Sequence, residues 1–217
     1  MATSSVNSKV GVCNLALIQL KQELVTDIDA PVSQSEKLCH AVYDQVRLST
    51  LRSHPWNFAI RRRTLTKDSV VPEFGFSARY LFPSDFVRYL NRTDESGAPI
   101  LLRESNYQIE GGHLLLNSDG PINLRYIYDH TDITKWDELA IQVLALSIAV
   151  AIAPNFTSRE TRIDAIKKDR QEVMDEARAI DGQERPPIRT ERSRFRQARR
   201  GGRMQANTAG PFMVFES

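Results

Sequence analysis

Cysteine is scarce: Cys13 and Cys39 are the only two in 217 residues. Both fall on apolar helical stretches, which reads as buried free thiols rather than a bridge and excludes a disulfide-stapled scaffold. The four histidines, His40, His54, His113 and His130, sit in separate segments, and no Cys/His spacing resembles a zinc site. Phosphate-cradling loops and nucleophile elbows are missing too, with no P-loop, no G-x-G-x-x-G and no G-x-S-x-G run. The opening MATSSVNSK lacks the apolar stretch of a secretion signal, and no apolar run reaches the about 20 residues of a membrane span. The expectation is therefore a protein with no cofactor, no metal and no membrane partner. Asp94, Glu95, Glu104 and Glu110 are numerous enough for a glycosidase pair, but acids in solvent-facing loops are ordinarily just solvated charge, so the chain is expected not to be an enzyme.

What is present describes an ordinary folded protein, 41% hydrophobic and 26% charged, long enough to bury a core as one or two domains. The net charge of +2 conceals an asymmetry. Between residues 183 and 204 eight arginines face two acids, about +6, which leaves the first 182 residues at about −3 once Glu216 is counted.

The stretch 33–65, SQSEKLCHAVYDQVRLSTLRSHPWNFAIRRRTL, organises the rest. Ser33 with Glu36 forms a capping box, and Leu38, Val42 and Val46 give the helix an apolar face. Pro55 bars His54 from helical backbone, so the helix should stop near Ser53. Trp56 and Phe58 then follow, and exposing two such rings is unfavourable; the segment should fold back and bury both as a core clamp. Before it, Asn7 or Ser8 caps a helix with Cys13, Ala16, Leu17, Leu20 and Leu24 on one face.

Downstream, 70–128 reads as short strands between turns: 76–81, 86–91, 100–103, 107–110, 113–116 and 122–128. Gly111-Gly112 supplies the positive φ of a tight hairpin turn. Helix returns at Thr134, with Asp137 as a weaker box partner. From 139 to 153 nearly every residue is apolar, Leu144 at the centre, which predicts a helix buried on most sides. Each fully buried Leu, Ile or Val there contributes about 1.5–3 kcal/mol. Thr157 with Glu160 caps a last helix ending at Gly182, whose apolar stripe of Ile163, Ile166, Val173, Ala177 and Ile180 is narrow enough for one neighbour only. Beyond it, prolines, glycines and arginines without apolar period carry no core of their own, yet the chain closes on the apolar PFMVF. The expected fold is α+β: a four-helix bundle (1–69 and 129–182) with an inserted antiparallel β-domain (70–128) and an extended basic C-terminal arm (183–217).

Read as a string, Cys13, Asn14, Ala16 and Leu17, then Tyr43, Asp44 and Arg47, then the run 51–59 containing HPWNFA, resemble the tail tubular protein A family of short-tailed phages. Tyr80, Pro83, Asp85 and Arg88 match that family's Y-x-x-P-x-D-x-x-R turn. The resemblance spans about residues 10–180. It implies a head-to-tail adaptor of the virion, assembled in the host cytoplasm. Such a protein forms a twelvefold ring of identical subunits between the portal protein and the tail nozzle protein, with genome DNA passing through the lumen without sequence-specific binding. A cyclic ring needs two different faces of one subunit to meet.

Basic clusters are the candidate contact residues: Arg61, Arg62 and Arg63, with Arg189, Arg192, Arg194, Arg196, Arg199 and Arg200 in the arm beside the apolar Phe212, Val214 and Phe215. Arginine suits protein interfaces because its planar group pairs bidentately with carboxylates. Two other readings stay open: a nucleic-acid-binding protein whose arginine tail neutralises phosphates, although Phe195 alone is poor support for base stacking, and a carbohydrate-active tail enzyme.

Overall fold

A computed structural model describes residues 7–97, 99–100 and 107–184. The chain divides into two units, Met1–Gly182 and Gln183–Ser217, and nearly all of the described residues belong to the first.

Among the described residues four helices and seven strands follow one another in the order α1 (Lys9–Leu20), α2 (Gln34–Ser53), β1 (Ile60–Leu65), β2 (Ala78–Leu81), β3 (Phe86–Thr93), β4 (Pro99–Ile100), β5 (Tyr107–Glu110), β6 (His113–Leu116), β7 (Ile122–Tyr128), α3 (Glu138–Ile152) and α4 (Glu160–Gln183). Local chemistry sets most of these bounds. Ser8 caps α1 through its hydroxyl. Ser33 and Glu36 close the capping box of α2 reciprocally, at 3.2 and 2.8 Å. His54, held extended ahead of Pro55, ends that helix. Gly111 and Gly112 both take positive φ in the β5–β6 hairpin. The third helix starts later than Thr134 suggests: Asp132 first caps a short 3-10 turn, Ile133–Lys135, and Asp137 is the N-cap of α3 proper.

The strands form two antiparallel sheets, one ordered β1-β7-β3-β4 and the other β2-β6-β5. The larger sheet is sandwiched. On one face Ile60, Val87 and Ile127 join the helical core around α1, α2 and α3. On the other, Leu65, Ile122, Leu124 and Tyr126 pack with Ala78, Tyr80, Leu114 and Leu116 of the smaller sheet. Register makes this possible, since neighbouring residues of β7 point to opposite faces. Helices, large sheet and small sheet thus form three layers.

This corrects the expected fold class, a four-helix bundle with an inserted β-domain. The protein is mixed α/β, and its sheets are part of the main core. β1 lies upstream of residue 70 yet pairs residue for residue with β7. Its sequence IRRRTL hides the usual alternation because it is an edge strand whose middle four residues are exposed. The bundle expectation fails at α4 as well. Ile166, Met174, Ala177 and Asp181 are the only described positions of that 24-residue helix that are buried, so it lies along the core rather than completing it. The centre is α3, with Leu144, Ile148 and Ala149 fully buried. The window Glu138–Asn155 is long and apolar enough to cross a membrane by composition, with mean hydropathy 1.6. More than half of it is covered by the rest of the chain, as expected of a core helix.

Candidate functional site

The aromatic segment after Pro55 is a joint between layers. Trp56 is buried, and its indole N–H donates to the Thr50 carbonyl at 2.9 Å, satisfying one of the free carbonyls at the end of α2. The Phe58 ring stands 5.9 Å from Trp56 and 5.0 Å from Trp136. Asp181 of α4 reaches the same segment: its carboxylate accepts from the Asn57 N–H and from His54 Nε2, each at 2.8 Å, and its carbonyl accepts from the Asn57 amide at 2.9 Å. A carboxylate shared between a backbone N–H and an imidazole makes a charge-assisted anchor.

Arg47 makes the second joint. It is almost wholly buried in α2 and pairs with Asp129, just past β7, and with Asp44 at 3.4 Å. Burial opposes the charge on Arg47, but hydrogen bonding and attraction to Asp129 outweigh it and hold the guanidinium pKa above its ordinary value. His130 next door is driven the other way. Burial lowers its pKa from 6.5, with Asp132 partly opposing.

A third joint closes the turn before β3. Asp85 is bonded by Arg61 and accepts from the Tyr126 hydroxyl at 3.0 Å. The Arg61 guanidinium also lies 3.7 Å from the centre of the Tyr128 ring, a cation–π contact. Tyr80 donates its hydroxyl to the Gly120 carbonyl at 2.8 Å, and Arg88 reaches the Arg52 carbonyl at 3.0 Å.

The three arginines of β1 therefore have different roles. Arg61 is committed to Asp85 and Tyr128. Arg62 and Arg63 are exposed and make no ion pair among the described residues. They point to opposite faces, Arg62 beside Arg125 and Arg63 beside Leu124 of β7, and the Arg62 guanidinium lies against Gly97 in the turn after β3. Trp56, Phe58 and Leu144 lie in or against the helical core. Arg189, Arg192, Arg194, Arg196, Arg199, Arg200, Phe212, Val214 and Phe215 fall outside the described residues.

Among the described residues no group of three or more His, Cys, Asp or Glu could hold a metal ion. Of the acids considered for glycoside chemistry, Asp94, Glu95 and Glu110 are exposed, and Glu104 is not described. A shallow cleft of about 490 Å³ lies on the outer face of the small sheet beneath Pro72, Phe74 and Phe76, reached by Arg79, Glu110 and His113. Asp68 occupies Arg79 there at 2.9 Å.

Sequence reasoning overlooked Asp181 and Asp129 and the partners of Asp85, pairings that span 24 to 127 positions. Only for Asp85 was there a signal, its place in the Y-x-x-P-x-D-x-x-R turn. Mixed α/β architecture with polar joints between its layers describes the class of protein as far as the fold goes. Set against protein-family models and curated proteins, the chain matches none.

Proposed function

We propose that the chain is a head-to-tail adaptor of a short-tailed phage, a subunit of a twelvefold ring that joins the portal to the tail nozzle and lets DNA through its lumen. What carries the reading is how the residues of the resemblance are used. Arg47, Trp56, Asn57, Tyr80, Asp85 and Arg88 each spend their polar groups on bonds inside the chain. Polar atoms spent on joining a helical layer to a sheet support the reading of a fixed scaffold, as a ring subunit requires, although the buried Tyr43 hydroxyl of the same motif has no hydrogen-bond partner among the described residues.

The excess negative charge of residues 1–182 suits a lumen that must not retain DNA. The mass of the full chain, alone and mixed with a portal ring, tests the reading. A closed assembly of subunits formed alone or on the portal is expected. A monomer that never binds the portal overturns it. Strong, salt-sensitive DNA binding by that monomer would favour the nucleic-acid reading instead.

A further inference from the structure

The outer edge of β1 is the longest regular strand edge left open among the described residues. The larger sheet runs β1-β7-β3-β4, so β1 has a neighbour on one side only. Its pairing with β7 is continuous from Ile60↔Ile127 to Leu65↔Ile122, without a bulge. The other described edges are shorter, and two of them are guarded. β4 has two residues and starts with Pro99, which cannot donate to a ladder. The free side of β2 is met by the Asp68 N–H, which donates to the Arg79 carbonyl at 2.9 Å. β5 has four residues.

Open edges are ordinarily blunted by proline, bulges or charge. β1 has only charge, and all of one sign. Such an edge leaves the backbone accessible and repels basic strands by like charge, so it discriminates rather than closes. We propose that the β1 edge takes up an extended acidic segment of a partner protein as an added antiparallel or parallel strand, its carboxylates pairing with Arg62 and Arg63. Backbone hydrogen bonds supply affinity and the side-chain pairs supply selectivity, as in other strand-addition complexes.

Successive residues of the added strand project to opposite faces, so adjacent carboxylates would meet Arg63 on one face and, on the other, Arg62 once its exposed guanidinium turns outward from Gly97. Arg61, already held by Asp85 and Tyr128, asks for no partner. A nucleic acid fits less well: the Tyr128 ring is covered by Arg61 and Tyr126 is buried, so neither of these neighbouring rings is open to a base.

The inference does not rest on the ring reading, and its test is independent of assembly mass. Fluorescent ten-residue peptides of alternating Thr-Glu-Glu and Val are titrated into the full-length protein, alongside a lysine version, an acidic version N-methylated on alternate backbone nitrogens, and a ten-residue oligothymidylate. Expected are binding of the acidic peptide, at least tenfold weaker binding of the lysine and N-methylated versions, and slowed amide hydrogen exchange within residues 60–65. The variant R62E/R63E should lose the acidic peptide and gain the lysine one. R62K/R63K should retain the acidic one more weakly. Both positions are exposed, and unchanged melting of each variant confirms the fold. No acidic-peptide binding, indifference to N-methylation, or oligothymidylate bound as tightly as the peptide would each overturn the inference.

Discussion

Asp181 and Asn57, 124 positions apart, share two hydrogen bonds: the backbone N–H of Asn57 donates to the Asp181 carboxylate at 2.8 Å, and the Asn57 amide donates to the Asp181 carbonyl at 2.9 Å. This pair fastens the last turn of α4 to the aromatic joint. Because α4 buries so few side chains, the anchor matters more there than it would in a fully packed helix.

Asp181→Ala leaves the Asn57 N–H and His54 without that acceptor. A loss of about 2–3 kcal/mol is expected, since hydrogen bonds to charged groups are the stronger kind. Urea unfolding measures it, and faster amide exchange confined to α4 should accompany it. An unchanged midpoint would mean that the helix is held elsewhere.

Trp56→Ala empties a buried site and removes the indole donor to the Thr50 carbonyl. About 3–5 kcal/mol should be lost. Trp56→Phe should cost less, because the ring volume is largely kept. A stable Ala variant that fails only in assembly would reassign the ring to an interface.

Leu144→Asp places a carboxylate in the fully buried centre of α3, with no partner and no water. The variant should yield no soluble folded protein. Normal expression and melting would contradict the central position of this helix.

Stability should fall on mild acidification because of His130. Burial depresses its folded pKa below 6.5, so below that value the unfolded chain binds a proton that the folded chain resists. The contribution is complete above about 6.5 and is lost as pH drops through the folded pKa. Thermal melts of the wild type should decline between about pH 7 and pH 5, and His130→Asn should flatten that slope. An equal slope in both proteins would assign the dependence to other groups.

Helix and turn signals were legible wherever they depend on neighbours in sequence. The Ser33–Glu36 box, the break at Pro55, the Gly111-Gly112 turn and the apolar run of α3 act over a few residues, and physical chemistry at that range leaves few alternatives. The structure alone decided that IRRRTL is a strand, because its partner, β7, lies about 60 residues away and the apolar ends Ile60 and Leu65 face different layers. It likewise decided that α4 lies along the core instead of closing a bundle, and that Arg61 is held by Asp85 while Arg62 and Arg63 form no ion pair among the described residues. A sequence displays which side chains must be covered; only the packed chain settles what covers them, since register and long-range ion pairs follow from burial across the whole fold.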